Sequence, residues 1–420
     1  MSLLETPMPR GGFLDVFRSK RMAVLFLLGF ASGLPSLLTG STLQAWMSSL
    51  GVDLGRIADL SMVGLAYTLK FAWAPLLDRF RLPFLGRRRG WCLALQLALV
   101  VAIAVMGAID PLASPLLLAT AAIVVAFLSA SQDVVIDAYK ADLLAPHERA
   151  AGTAMYVLGY RVALIVAGTL ALVMADHMPW RVIYAIMAAG MAIGVLGTLL
   201  ADEPVVSETP PRTLAKAIVE PFVEFGKRLG WRATAIVLLF AALYRFGDYF
   251  AQAVVIDFLH TDAAFDLTTI GLVTKGVGFL GTLVGGLAAG GLVARFGLRK
   301  MLVAFGVLAA ITNLLYMWLA FVGHDIVVFS IAIGVDYAST ALGTTAFIAV
   351  LMGVCSPAMS ATQFALLTSL SSVGQRVFGP FADDVVRAAG WTGFFASTAL
   401  MAIPGLALAW LVTRDVKTDG

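Results

Sequence analysis

The strongest constraint on this 420-residue chain is the recurrence of long apolar stretches with almost no charge in them. A helix needs about 20 apolar residues to cross a bilayer. Twelve stretches of that order can be marked, near 22–48, 57–77, 90–109, 115–139, 150–174, 180–200, 232–259, 268–294, 298–321, 326–352, 361–386 and 391–413. With 60% hydrophobic and 13% charged residues and a mean hydropathy of +0.91, most of the chain belongs in lipid. The expected fold class is an all-α membrane protein of twelve transmembrane helices in two six-helix bundles. Residues 1–200 would form the first bundle, 201–231 a linker and 232–420 the second. The first stretch is too long for a signal peptide and lacks a small-residue cleavage site, so it is expected to remain.

Lys and Arg set the orientation. With both termini in the cytoplasm, 21 of the 29 basic residues fall inside, among them Arg18, Lys20, Arg21, Arg87, Arg88, Arg89, Arg299 and Lys300. Three fall outside (Arg56, Arg181 and Arg387), and five lie within spans. That asymmetry is the positive-inside pattern, so the basic clusters read as topology signals and not as a nucleic-acid footprint. Cys92 and Cys355 both fall in apolar segments, which suggests neither a disulfide framework nor a thiolate metal site.

Between the sixth and seventh spans, Leu214, Ile218, Phe222, Phe225 and Leu229 recur at helical spacing among Lys216, Glu220, Glu224, Lys227 and Arg228. This connector reads as an amphipathic segment on the cytoplasmic membrane surface; a flexible linker is the alternative, since four prolines interrupt it. Gly276-Val-Gly278-Phe-Leu-Gly281 matches a dinucleotide-binding pattern but sits in an apolar helix with no preceding strand. It reads as a small-residue seam for close helix packing. No phosphate loop, metal-ligand spacing or nucleophile elbow is present, so no enzyme and no cofactor is expected.

Ionisable groups within membrane spans usually mark a substrate or ion path. Asp133 and Asp137 lie four residues apart, on one face of a helix. At about 1.5 Å per residue, Lys70, Arg161, Arg245 and Asp336 fall near the bilayer midplane. Asp248 and Arg376 lie somewhat further out, and Lys275 is in the outer half. Arg245 and Asp248, at i,i+3, can neutralise one another. The remaining cations outnumber the deep acids, which suits a cavity for an anionic solute. Each of these charges has the alternative of an interhelical salt bridge that serves structure alone. For Asp137, beside Lys140 and near the surface, a structural or gating role fits better than substrate contact. Asp133 has no basic residue at i±3 or i±4 to fix it as an ion, so it is the first candidate for carrying a proton, ahead of Asp336 and Asp248. A bridge to Arg161 is its structural alternative. Gln44, Gln132, Tyr160 and Gln363 are polar or aromatic partners suited to a sugar-like solute.

Asp78-Arg79-Phe80 followed by Gly86-Arg87-Arg88-Arg89, and Gly291-Leu-Val-Ala-Arg295-Phe-Gly297-Leu-Arg299-Lys300, resemble the cytoplasmic loop motif of the major facilitator superfamily. The first copy has an insertion and the second has Ala294 in place of the acid. The resemblance implies gating roles for Asp78, Arg79 and Arg295. Gly40-Ser-Thr-Leu-Gln-Ala-Trp46, Tyr67-Thr-Leu-Lys-Phe-Ala-Trp-Ala-Pro75, Ala130-Ser-Gln-Asp-Val-Val-Ile-Asp-Ala-Tyr139, Tyr156-Val-Leu-Gly-Tyr-Arg161, Gly271-Leu-Val-Thr-Lys275 and Ala361-Thr-Gln-Phe-Ala-Leu-Leu367 resemble the AmpG muropeptide permeases. The likeness covers about residues 20–400. It implies a major facilitator fold in the bacterial inner membrane and proton-driven import of GlcNAc-1,6-anhydroMurNAc, with or without stem peptide, for peptidoglycan recycling. It also implies an indirect part in β-lactam resistance. Some members carry further C-terminal spans, a point of departure. Muropeptide, protons and membrane lipids are the expected partners, and the chain is expected to act as a monomer. Transport of another anionic solute, of the acetyl-CoA or siderophore type, is the alternative. A membrane enzyme acting on cell-wall lipid intermediates is the rival from another class.

Overall fold

The computed structural model describes residues 17–51, 64–204, 214–378 and 381–415. Helices joined by short loops and turns make up these residues, with no strand among them. In chain order the helices are α1 (Lys20–Leu38), α2 (Ser41–Ser49), α3 (Leu65–Leu69), α4 (Ala74–Arg79), α5 (Arg87–Ala108), α6 (Pro115–Leu143), α7 (Arg149–Leu164), α8 (Ala171–Ala175), α9 (Trp180–Gly190) and α10 (Ala192–Leu200). After the connector helix α11 (Leu214–Leu229) come α12 (Trp231–Leu243), α13 (Phe246–Gln252), α14 (Val255–Thr261), α15 (Leu267–Val273), α16 (Phe279–Phe296), α17 (Leu298–Val322), α18 (Ile326–Val354), α19 (Ser360–Phe378) and α20 (Ala382–Asp415, kinked at Gly390).

Among the described residues, ten helical segments are long and apolar enough to cross a membrane. They correspond to ten of the twelve expected spans. The other two expected spans behave differently. The stretch 57–77 begins outside the described residues and continues as the short helices α3 and α4. The stretch 361–386 contains α19, which has the length for a span but carries Ser360, Thr362, Gln363, Thr368, Ser369 and Ser371. Those polar groups suit a helix facing protein or a cavity more than lipid. Outward-facing Leu116, Leu272, Phe321 and Val101 are each more than half exposed, as expected of a surface whose solvent is hydrocarbon.

Glycines set how closely the helices approach. A Cβ on Gly29 would lie 2.0 Å from the Tyr156 carbonyl oxygen, and one on Gly159 would lie 1.9 Å from that of Phe26, so α1 and α7 touch backbone to backbone. On α16, Gly281 and Gly285 meet Gly334 and Ala338 of α18 in the same way. The seam read from the sequence therefore holds at Gly281 and Gly285, whereas Gly276 and Gly286 face open space.

The two halves of the chain are joined unevenly. One apolar cluster mixes both halves: Leu25, Val135 and Tyr139 pack with Val293, Phe347 and Leu351. Two others stay within one half, around Leu99, Ile103 and Tyr184, and around Phe258, Phe329 and Phe394. The halves thus share a core towards one end and have separate cores towards the other. Between halves, α7 packs on α16 and α18, and α6 and α4 pack on α19.

Candidate functional site

At the shared end, the carboxylate of Asp78 is almost wholly buried at the C-terminal end of α4. It accepts from Arg87 at 2.9 Å and Arg88 at 3.0 Å, both in the first turn of α5. It also accepts from the start of α19, in the other half: Thr362 N–H and Thr362 Oγ1, each at 2.7 Å, and Ala361 N–H at 3.3 Å. A carboxylate against the open N–H groups of a helix start is favoured by their unsatisfied donors and by the helix dipole. Arg88 also pairs with Asp142 of α6 at 2.7 Å and donates to Ser360 at 2.6 Å. Arg87 donates to the Pro357 and Ala358 carbonyls just before α19. Two aspartates and two arginines thus bind the first half to the start of α19. Glu203 completes the cluster by accepting from Arg88 N–H at 2.9 Å and Arg89 N–H at 3.0 Å.

The sequence singled out Asp78 but treated Arg87 and Arg88 as orientation charges and gave Asp142 no role. Both arginines are buried. The available signal was three arginines opening a helix within one loop of an acid. Arg79 and Arg295 take no part in this network; each guanidinium stacks on its neighbouring ring, Phe80 at 5.2 Å and Phe296 at 5.3 Å.

The connector helix reinforces the same junction. Gln363, expected to touch solute, is wholly buried here. Its amide donates to Glu224 at 2.7 Å and the Pro221 carbonyl at 3.2 Å, and accepts from Ser356 N–H at 2.7 Å. Arg228 pairs with Glu224 and donates to the Val354 carbonyl at 2.6 Å. Phe225 is buried beneath. The connector therefore packs into the junction along Pro221, Glu224, Phe225 and Arg228, while Phe222 is exposed.

Further along, α6 and α7 carry a second polar group. Asp137 lies between Lys140 at 2.7 Å and Lys70 at 3.5 Å, and Lys140 also sits over the Tyr156 ring at 3.6 Å. Lys70 is thus partly neutralised by Asp137. Asp133, one turn earlier, is half-buried and makes no ion pair with Arg161; its charged neighbours are Lys70, Asp137 and Lys140. Asp133 Oδ1, both amide atoms of Gln132, and the hydroxyls of Tyr67, Ser32 and Ser129 are buried and have no hydrogen-bond partner among the described residues. Buried polar groups usually find partners; here Ser32 stands beside Asp133 and Ser129 beside Tyr67, close enough to interact electrostatically though outside hydrogen-bond geometry. Tyr160 reaches Ser36 at 3.4 Å.

The second half holds its own cluster. Arg245 interrupts the seventh span between α12 and α13, with non-helical φ −110° and ψ 11°. Irregular backbone at membrane depth is tolerated where it is buried in protein or lines a cavity. Its guanidinium donates to Tyr249 at 3.1 Å and lies 4.0 Å from Asp248, the pairing expected from their spacing. Asp336 is buried, accepting from Tyr316 at 3.1 Å and Thr312 at 3.3 Å.

Two further cations lie beside helix irregularities. Arg161 precedes a π-helical turn (Ile165–Leu170), and Lys275 lies within another (Thr274–Gly278). Such turns often accompany functional positions. Arg161 lines a crevice between α7 and α16, while Lys275 and Gln44 are exposed. The side chain of Arg376 lies outside the described residues.

This architecture defines a class. The sequence profile of the Major Facilitator Superfamily matches residues 25–244. The fold superposes on the crystal structure of a major facilitator transporter, FucP, in the outward conformation, with a TM-score of 0.72 at 14% identity, covering 93% of this chain and 98% of that one. The structure of the proton:xylose symporter XylE aligns with a TM-score of 0.67 at 12% identity, over 96% of this chain and 98% of that one. In sequence, the chain is 44% identical over 405 residues to the anhydromuropeptide permease of Escherichia coli (strain K12), covering 96% of this chain and 82% of the relative. It is 29% identical to putative transporter AmpG 4 of Rickettsia felis, over 96% of this chain and 99% of that relative. The chain belongs to the AmpG family of the major facilitator superfamily. It is a multi-pass membrane transporter, not an enzyme.

Proposed function

We propose that this protein imports anhydromuropeptides (GlcNAc-1,6-anhydroMurNAc, with or without stem peptide) across the bacterial inner membrane, in symport with protons and by alternating access. The observation that carries the reading is the 44% identity to the anhydromuropeptide permease of Escherichia coli over 96% of the chain. Twelve spans in two bundles of six, divided at 201–231, with both termini and the connector cytoplasmic and a monomeric transport unit, complete the scheme. The basic residues crowded at the latched end support that orientation.

In this scheme Asp78, Arg87, Arg88 and Asp142 hold the cytoplasmic side shut while the solute enters from outside. Arg161 and Lys275 meet its carboxylates, with Lys70 and Arg245 as further cations. Gln132, Tyr160 and Gln44 bind its sugar hydroxyls and amides. Gln363 leaves the binding set, because its amide is fully engaged at the latch. Asp133 carries the proton: Lys70 and Lys140 neighbour both Asp133 and Asp137, so a change in the charge of Asp133 alters how those cations are shared. Asp336, held by two hydroxyls, and Asp248, beside Arg245, are the next candidates.

The test is uptake by proteoliposomes of defined anhydro-disaccharides, with and without stem peptide, under an imposed proton gradient. Intact solute accumulating only with the gradient is the expected result. Accumulation of acetyl-CoA or a siderophore in its place would redirect the substrate assignment, and a chemically altered solute would overturn the transport reading.

A further inference from the structure

Towards the latched end of α6, Lys140 is wholly buried. Its ammonium lies 2.7 Å from Asp137 and 3.6 Å from the centre of the Tyr156 ring on α7. We infer that Tyr156 is a positioning residue for proton transfer: its ring face holds the Lys140 ammonium against Asp137 and so keeps that cation off Asp133. The inference rests on Asp133 as the proton carrier.

Helical spacing gives Lys140 two possible partners. Asp137 is three residues before it and Asp133 seven, so all three side chains leave one face of α6. A lysine stem is flexible enough to turn to either acid. An ammonium taken out of water needs compensation on every side. Asp137 supplies it on one side, and the negative face of an aromatic ring supplies it on the other. The ring itself is fixed. A Cβ on Gly29 of α1 would lie 2.0 Å from the Tyr156 carbonyl oxygen, and Gly159, three residues on, abuts the Phe26 carbonyl. Tyr156 is therefore a rigid platform seated on α1. With Lys140 held at Asp137, Asp133 is left with Lys70, which also lies 3.5 Å from Asp137.

The other ionisable groups around Asp133 do not replace this arrangement. Tyr67 of α3 and Tyr156 and Tyr160 of α7 feel its charge but carry no positive charge themselves. Neither Arg149 nor Arg161 of α7 pairs with it. On α1, Lys20 and Arg21 pair with Asp202 and Glu148. On α4 and α5, Asp78, Arg87 and Arg88 form the latch, Arg79 stacks on Phe80, and Arg89 donates to the Thr198 carbonyl. Asp336 of α18 accepts from Tyr316 and Thr312. The side chains described on α19 include no ionisable group.

The test uses the full chain in proteoliposomes and follows accumulation and counterflow exchange of GlcNAc-1,6-anhydroMurNAc against external pH. Tyr156→Phe keeps the ring and should keep the wild-type profile. Tyr156→Leu frees the ammonium to pair with Asp133. A neighbouring cation favours the carboxylate, so the proton should load only at lower pH. The midpoint of accumulation should then fall by about one pH unit, with counterflow intact. Phenylalanines bearing progressively more ring fluorines at position 156 keep the shape while draining the ring face of negative charge. They should move the midpoint in graded steps, and they serve where Tyr156→Leu does not fold. A role in packing alone would leave the profile in place. A midpoint unmoved across these variants, while Asp133→Asn loses accumulation, would overturn the positioning role alone. Wild-type accumulation by Asp133→Asn would overturn the proton assignment and this inference with it.

Discussion

Asp78→Asn probes the latch with the least change in shape. The carboxylate receives two arginine contacts, at 2.9 and 3.0 Å, and three contacts from the start of α19, at 2.7, 2.7 and 3.3 Å. Asparagine keeps the size and one accepting oxygen but removes the charge, and its amide nitrogen faces donors where an acceptor stood. In the wild type, two acids and two arginines balance; in the variant Arg87 has no full counter-charge, while Arg88 keeps Asp142 at 2.7 Å. Removing one member of a buried ion pair costs about 3–5 kcal/mol, and the surviving Asp142 contact places this case near ~3 kcal/mol. Most of that cost falls on the latched state, because the α19 contacts exist only when the halves meet. The ratio of latched to open forms should therefore drop roughly 100-fold.

A native thiol can report it. Cys355 lies between Val354 and Ser356, both of which bond to latch residues, and its Sγ donates to the Leu351 carbonyl at 3.2 Å. The thiol is partly exposed, and the packing around it still pushes its pKa above the ordinary range. Thiolate is the species that labels, so the latched form should react slowly and opening should return the thiol towards ordinary reactivity. Maleimide labelling of Cys355 in inside-out vesicles should rise strongly in Asp78→Asn, with buried Cys92 unlabelled as the internal control. Wild-type labelling of a normally expressed variant would refute the argument that Asp78 holds this end closed.

Gln363→Ala should resemble Asp78→Asn in milder form, speeding Cys355 labelling while leaving solute affinity unchanged; weakened binding with unchanged labelling would return Gln363 to the solute site. Arg161→Ala should reduce uptake to background at normal protein level, since leaving a ligand carboxylate unpaired costs on the order of 2–5 kcal/mol; normal uptake would remove Arg161 from the site. Asp133→Asn in proteoliposomes should lose gradient-driven accumulation yet retain counterflow exchange, and wild-type accumulation would move the proton to Asp336. Lys70→Gln should affect uptake less than Arg161→Ala, because Lys70 already shares its charge with Asp137 at 3.5 Å; an equal or larger loss would show that the pair opens to meet solute.

Length and hydropathy marked the long spans because crossing a bilayer imposes a minimum helix length on the sequence itself. The same reasoning placed Arg245 with Asp248 and brought Asp133 and Asp137 onto one face, since helical spacing alone decides those neighbours. The motif at Asp78 was legible, through its resemblance, as a carboxylate that ties neighbouring helices together. What lay beyond reach was every contact between distant segments. Gln363 and Gln132 look alike in sequence as amides in apolar helices. Only packing sends one to Glu224 and Pro221 and leaves the other buried without a partner among the described residues. Arg87 and Arg88 read as surface charge because their counter-ions stand on other helices, and α19 with the residues just before it supplies acceptors 270 or more positions away. Local physics fixes which residues are helical and which depth they occupy. Which polar groups satisfy one another and which stay open for a solute depends on how the two halves close, and that is settled only in three dimensions.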